Sequence, residues 1–173
     1  FMVNNPDDYN STFQYVDVLV GNDTVRIFNV HLQSLKFTKE NREYLDSLQI
    51  KTTSASESKS VIQKIRKGVI KRAVQARFVK DEMNHTHYPK ILCGDFNDVP
   101  VSYAYEILGE GLQNAFVKKG FGFSRTFAGI SPTLRIDNIF VDSSFSVVQY
   151  KRISSNLSDH FPIVADVKLI RNP

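Results

Sequence analysis

The chain has 173 residues, of which 42% are apolar and 23% charged, a composition typical of one globular domain and not of a disordered segment. No apolar run approaches the roughly 18 residues of a membrane-spanning helix, and a single cysteine excludes an internal disulfide framework. The net charge of +4 favours an anionic partner without selecting one. The opening residues 1–3, FMV, are no targeting segment, so we expect the chain to be part of a longer protein.

The first elements form a predicted hairpin. Residues 13–20 alternate in polarity, residues 21–23 have turn chemistry, and residues 25–32 return as a second strand. A helix is predicted at about residues 41–50, and a loop rich in serine and threonine at residues 52–58.

A long helix is predicted to begin at a cap on Ser56 or Ser58 and to end near Met83. Its apolar residues recur at intervals of three and four and form one stripe: Ile62, Ile65, Val69, Ala73, Ala76, Val79 and Met83. Between residues 59 and 80 there are eight lysines or arginines and no acid. This basic surface is either a solvated helix face or a contact for a phosphate-rich partner.

The second half of the chain alternates strands with short connections. A strand at residues 90–94 precedes a short helix at residues 102–108, and three further strands are predicted at residues 135–141, 145–151 and 162–169. No internal repeat or linker is present, so residues 1–173 are interpreted as a single domain or one part of one. The connections at residues 35–58 and 111–133 carry no recognisable motif, and we expect them to determine substrate specificity.

Polar residues gather where four predicted strands begin or end. The four segments are NVHLQS at residues 29–34, GDFN at 94–97, RIDN at 135–138 and SDHFP at 158–162. Carboxylates, imidazoles and an amide in such positions resemble a metal-assisted phosphoryl-transfer site, because hard divalent cations prefer oxygen ligands.

Residues two apart in a strand point to the same side, so Asn29 with His31, and Asp95 with Asn97, are predicted to face one cleft. Gly94 allows the backbone to approach a neighbour closely or to turn.

The ordered set NVHLQS, GDFND, RIDNIF and SDHFP resembles the endonuclease/exonuclease/phosphatase superfamily, which includes pancreatic deoxyribonuclease, abasic-site endonucleases, neutral sphingomyelinases and inositol polyphosphate 5-phosphatases. The resemblance covers residues 13–169 and is closest to bacterial members of unassigned substrate, whose catalytic domain often follows membrane segments. It implies an α+β fold, a four-layer α/β/β/α sandwich of the deoxyribonuclease-I-like type. This chain would supply roughly the C-terminal half to two-thirds, with an upstream membrane tether conceivable in the full protein.

The resemblance also implies roles for individual residues. Asp95 would align or deprotonate the attacking water, and Asn97 would orient that water and touch the phosphoryl oxygen. His160 would stabilise charge on the pentavalent phosphorus, Asp137 would orient His160, and His31 would be a second phosphate contact.

The remaining implied roles concern metal and phosphate. Asp159 would be a metal-site carboxylate, with Asp95 and Asn97 as further ligand candidates for Mg²⁺ or Mn²⁺. Ser34 matches the serine of the His-Leu-x-Ser form found in tyrosyl-DNA phosphodiesterase-like members, which implies a phosphate contact. Asn29 and Thr126 are either phosphate contacts or partners of the backbone.

The chain departs from the superfamily in its first half. The early strand bearing an asparagine and the later strand ending in Gln-Glu are both missing, and none of the six glutamates ends an apolar strand. We therefore expect the isolated chain to bind divalent metal weakly and to be poorly active. We also expect one sheet to expose an apolar face, which the missing N-terminal half of the domain or self-association would cover.

The function predicted is a divalent-metal-dependent hydrolase of phosphate esters, a phosphodiesterase or nuclease, acting by in-line attack of water. Two alternatives stay open: a phospholipid or phosphoinositide phosphoesterase, and a non-catalytic fragment that serves as a binding or structural module.

Overall fold

The computed structural model describes residues 11–35, 55–128, 134–155 and 157–170, so the helix predicted at residues 41–50 lies outside the described residues. The described elements, in chain order, are β1 (Thr12–Val20), β2 (Asp23–His31), α1 (Ala55–Asn84), β3 (Lys90–Asp95), α2 (Tyr103–Gly109), β4 (Gln113–Asn114), α3 (Ala115–Lys119), β5 (Asp137–Val141), β6 (Phe145–Arg152) and β7 (Ile163–Leu169). Across these ranges no helix combines the length and apolarity needed to cross a bilayer.

Two sheets are present among the described strands. The larger has the order β1-β2-β3-β5-β4, in which β2 and β3 are parallel and all other pairs are antiparallel. The smaller sheet is the antiparallel pair β6-β7. Because β2 and β3 run in parallel, their carboxyl ends meet at one edge of the sheet, and the antiparallel β5 brings its amino end to that edge.

Each face of the larger sheet packs against a different partner. On one face, Phe28, Leu92 and Phe140 form a core with α1 and α2. On the other face, Val25 and Val141 pack against β6 and β7. The described chain therefore stacks a helical layer, a sheet and a hairpin of a second sheet, which agrees with the layered α+β fold that the sequence predicts.

The beginning of α1 differs from the prediction. The helix begins at Ala55, so Ser56 and Ser58 lie inside it, and both the predicted cap and the predicted loop at residues 55–58 are wrong. Serine is tolerated inside a helix, and propensity is a weak guide to where a helix starts when tertiary packing decides its length.

The buried face of α1 also differs in part. Ala76, Val79 and Met83 are buried as predicted, but Ile62 is 63% exposed. In this half of the helix the inward positions include Gly68 and Arg72. The helix backbone at Gly68 lies so close to Leu35 that any side chain at position 68 would overlap it. The predicted apolar stripe therefore does not form the contact in this half of the helix.

The described part of the connection predicted at residues 111–133, residues 111–128, contains regular elements that the sequence does not predict. It contains β4, which pairs with β5, and the short helix α3, whose N-terminal cap is Asn114. The Asn114 side chain accepts a hydrogen bond from the Val117 N–H. Such short elements leave too little periodicity to be recognised in sequence.

Candidate active site

The centre of the site is one register row across the larger sheet. His31 at the end of β2 lies opposite Asp95 at the end of β3, and Asp95 lies opposite Asp137 at the start of β5. The Nε2 atom of His31 is 3.5 Å from Oδ2 of Asp95. The strand directions thus bring together three residues that are far apart in sequence.

Asn97 locks the orientation of the Asp95 carboxylate. The Asn97 backbone N–H donates to Asp95 Oδ1 over 2.7 Å, and its side-chain amide donates to Asp95 Oδ2 over 2.9 Å and to the carbonyl of Leu32 over 3.0 Å. Asn97 has φ of +50°, the left-handed region that asparagine tolerates better than most residues. Phe96 between them is fully buried and stacks on Phe140, as the alternation of the strand predicts.

Gly94 is required by a close approach between β2 and β3. Its φ is +138°, and a Cβ there would overlap the backbone carbonyl of Val30. The predicted close approach is therefore confirmed, and it allows the parallel pairing to continue to the row of Asp95.

His160 reaches the row from the loop that precedes β7. Its Nδ1 is 3.0 Å from Asp137 Oδ2, and its Nε2 is 4.0 Å from Asp95 Oδ2. The hydrogen bond with Asp137 raises the pKa of His160 above its ordinary value of 6.5; burial opposes this, and the charges of Asp137, Asp95 and Asp159 add to it. The surroundings of His160 thus favour the charged form of its imidazole.

Thr126 is fully buried beneath this loop. Its hydroxyl accepts hydrogen bonds from the N–H groups of Ile136 and Asp137, both over 3.0 Å. Its carbonyl accepts from the N–H of Phe161 over 2.7 Å. Thr126 therefore binds backbone groups, which is one of its two predicted roles. Through these hydrogen bonds it holds both Asp137 and the His160 loop.

The other predicted residues lie at or beyond the rim. Asn29 is exposed on the same face of β2 as His31, one step further from the edge. Asp159 is exposed, and its carboxylate contacts the hydroxyl of Ser158. Ser34 is half-buried in a separate cleft of about 210 Å³ lined by Lys64, Lys67 and Lys71 among others, so the row around Asp95 does not include it.

An internal clamp, which the sequence did not reveal, supports the two polar segments. Arg72 of α1 is 2% exposed and donates to Asp98 over 2.8 Å and to the carbonyl of Gln33 over 3.1 Å. Gln75 accepts from the N–H of Gln33 over 2.9 Å. The helix thereby fixes the segments that follow His31 and Asp95. The sequence signal that could have indicated this clamp is the helical spacing of its residues: Arg72 and Gln75 lie on the same face of α1 as Ala76, Val79 and Met83.

Three side chains of the site have the composition of a cation site. One ligand atom each from Asp95, Asp137 and His160 lies within 4.8 Å of the others. Magnesium is usually held by one or two carboxylates, with water and substrate phosphate in the remaining positions, so the two carboxylates of this group suit a weakly held divalent cation. Asp137 is already bound to His160, which leaves Asp95 as the carboxylate nearest to such a role.

Comparisons with known proteins identify the family of the chain. The sequence profile of the endonuclease/exonuclease/phosphatase family matches residues 68–160, more than half of the chain. The chain therefore belongs to that family, whose members are hydrolytic phosphoesterases that generally depend on a divalent metal. No curated protein sequence matches the chain.

Solved structures with the same fold include three from bacteria. A family protein from Bacteroides vulgatus has a TM-score of 0.61 at 19% identity, covering 86% of this chain and 51% of that one. A functionally unknown conserved protein from Enterococcus faecalis has a TM-score of 0.60 at 20% identity, covering 86% and 51%. A mannosyl-6-phosphatase from Bacteroides thetaiotaomicron has a TM-score of 0.51 at 21% identity, covering 86% and 53%.

At these identities the likeness establishes the deoxyribonuclease-I-like fold, as the sequence predicts. The chain spans about half the length of the structures it matches.

Proposed function

We propose that the chain carries most of the catalytic residues of a metal-dependent phosphoesterase that hydrolyses phosphate esters by direct attack of water. The observation that carries the proposal is the row of His31, Asp95 and Asp137, closed by His160 at hydrogen-bonding distance from Asp137. The carboxylate that the amide holds in place can act as a base, and the charged imidazole beside it can stabilise negative charge on the same substrate.

In the proposed reaction, the water oxygen attacks phosphorus in line with the ester oxygen that leaves. Asp95 aligns this water and accepts its proton, and Asn97 keeps the carboxylate in place. His160, held charged by Asp137, stabilises the negative charge that grows on the phosphoryl oxygens, with His31 as a second contact. The P–O bond to the leaving group breaks, and solvent protonates the departing oxygen.

Mg²⁺ or Mn²⁺ is the proposed cofactor, with Asp95 and Asp159 as carboxylate ligands and Asn97 as a further oxygen donor. When bound, the cation neutralises charge on the phosphoryl group. Asp159 lies outside the cluster formed by Asp95, Asp137 and His160, so the assignment of Asp159 rests on the family pattern. Asn29 and Ser34 stay proposed phosphate contacts on the same ground, whereas Thr126 is proposed to position Asp137.

The test is turnover of bis(p-nitrophenyl) phosphate with and without magnesium, by the chain and by any longer product of its gene. Asp95→Asn and His160→Ala should each lower metal-dependent turnover by at least about 100-fold, because each removes a group that acts on the reacting atoms. Asp166→Asn, a matched change of an exposed acid on β7, should leave it unaltered. Turnover that survives both catalytic substitutions would contradict the mechanism and favour a binding module.

We also propose that residues 1–173 are the C-terminal part of one domain. Val16, Val18 and Val20 lie on one side of the edge strand β1, where they are 54%, 37% and 47% exposed. An upstream segment of the same domain, or a second copy of the chain, would cover this row. Sedimentation velocity should show self-association of the isolated chain that Val18→Lys weakens; a monodisperse monomer would count against the proposal.

A further inference from the structure

A second cleft opens beside the catalytic row, on the side of the His160 loop. It has a volume of about 430 Å³, and its walls include Lys119, Lys151 and Arg152 together with Phe121 and Tyr150. We call it the basic cleft. None of these residues has a role in the reaction proposed above.

Contacts through Phe161 and Tyr150 connect the basic cleft to the catalytic centre. The Arg152 guanidinium lies 4.6 Å from the centre of the Phe161 ring, and Phe161 directly follows His160. Burial raises the pKa of the Tyr150 phenol, and the nearby charges of Arg152 and Asp137 act on it in opposite directions. The basic cleft therefore adjoins the segment that carries His160.

Positive charge accumulates around the cleft on side chains that contact aromatic rings and neutral polar groups. Arg135 is 8% exposed, and its guanidinium contacts the Phe116 ring at 4.1 Å and the Asn114 amide oxygen at 3.5 Å. Phe116 in turn packs edge-on against Tyr150. Arg152 contacts the Phe161 ring and the hydroxyl of Ser154.

Within the described part of the chain, no carboxylate lies within 4.0 Å of a charged nitrogen of Lys119, Arg125, Arg135, Lys151 or Arg152. A buried guanidinium without a counter-ion is costly, and an anion bound nearby offsets that cost. Guanidinium and ammonium groups together match the oxygens of a phosphate, while Phe121 and Tyr150 offer apolar surface to the carbon skeleton that carries it.

We propose that the basic cleft is a second phosphate subsite, which binds a phosphate group of the substrate other than the one that is hydrolysed. The preferred substrates are then esters with at least two phosphates on one skeleton. This inference rests on the proposed function, because it identifies the substrate class of the same site. A nucleotide strand and a polyphosphorylated inositol both present this chemistry.

The kinetic test compares one-phosphate with two-phosphate substrates on the same protein used for the turnover assay. Bis(p-nitrophenyl) phosphate carries one phosphate; the two-phosphate arms are a 5′-phosphorylated dinucleotide and an inositol bisphosphate headgroup. Arg152→Met should lower the two-phosphate to one-phosphate ratio of kcat/KM by about 10- to 100-fold, the loss of one charge-assisted contact. Lys119→Met should act in the same direction, and because Lys119 is exposed its loss leaves the packing intact.

The matched control is Lys168→Met, an exposed lysine on β7, which should leave the ratio unaltered. If the ratio falls only for the dinucleotide, the second phosphate is that of a nucleotide strand; if it falls only for the inositol bisphosphate, it is that of an inositol headgroup. An equal loss on one-phosphate and two-phosphate substrates, or no change in either arm, would overturn the subsite.

A second measurement does not need activity. Acetylation of lysines, followed by mass spectrometry, should show that inorganic pyrophosphate protects Lys119 and Lys151 while Lys168 reacts as before. Absence of protection would overturn the proposal. If bis(p-nitrophenyl) phosphate is not hydrolysed at all, the proposed function fails, and the protection pattern alone still decides whether the basic cleft binds phosphate.

Discussion

The arginines on the two sides of the molecule have different kinds of partner. Beneath the helical layer, the guanidinium of Arg72 is buried against the carboxylate of Asp98 at 2.8 Å, and on the hairpin Arg26 pairs with Asp17 at 2.7 Å. Beside the catalytic row, Arg135 and Arg152 contact aromatic rings and neutral groups instead. The paired cations contribute to the stability of the fold, whereas the anion proposed for the basic cleft would supply the counter-charge on the other side.

The largest expected effect concerns the paired side. Arg72→Met keeps the volume of the side chain but leaves Asp98 buried without its counter-ion, which should lower the free energy of unfolding by about 3–5 kcal/mol. Arg152→Met should change it by about 0.5 kcal/mol or less, because Arg152 has no buried partner to leave unpaired. Denaturant unfolding of both variants measures this.

The double variant R72M/D98L is the control for that comparison. It replaces both members of the pair with apolar groups and should recover most of the stability that Arg72→Met loses. If Arg72→Met and Arg152→Met cost the same, the distinction between structural and available cations is wrong.

The second effect is on pH dependence. His160 has a raised pKa in the folded protein, so the stability that its charge contributes is present below the unfolded value of 6.5 and is lost as pH rises through the folded value. Activity that needs charged His160 should fall over the same alkaline range. Asp137→Asn removes the largest cause of the raised pKa and should move the alkaline limb of kcat/KM to lower pH. A limb that stays in place would show that His160 is not the group titrating.

The smallest expected effect is the heat of metal binding. The row offers few free carboxylate oxygens, since Asn97 donates to both oxygens of Asp95 and His160 binds Asp137. Calorimetry with Mg²⁺ should therefore detect only weak binding to the isolated chain. Tight stoichiometric binding would contradict this expectation, and a longer gene product that binds more tightly would place the missing ligand upstream.

Much of the fold was predictable because strand alternation and turn residues are local signals. The hairpin of β1 and β2 and the strands β3, β5, β6 and β7 were predicted within about two residues at each end. The start of α1 was predicted wrongly. Its inward face was predicted only in part, because that face depends on the approach of Gly68 to Leu35 and on the pairing of Arg72 with Asp98. Arg72 can be buried on α1 because Asp98, from a distant segment, supplies a carboxylate. The spacing of apolar residues along the helix gives no information about such a partner.

The candidate site divides in the same way. Asp95, Asn97, Asp137 and His160 stand in recognisable motifs. The supports at Thr126, Arg72 and Gln75 do not, because they act through backbone groups of other segments. The basic cleft was invisible in sequence, since its lysines and arginine come from two segments about 30 residues apart, at Lys119 and at Lys151 and Arg152. Only contacts reveal which cations lack a carboxylate.

The sequence by itself determined the family, the layered fold and the residue types of the candidate site, because short polar motifs at strand ends are local patterns. The tertiary structure decided the register that sets His31, Asp95 and Asp137 in one row, and it decided which charges are paired. Both depend on strand pairing and on contacts between segments distant in sequence, where the free energy of an ion pair or of a close backbone approach exceeds any local preference.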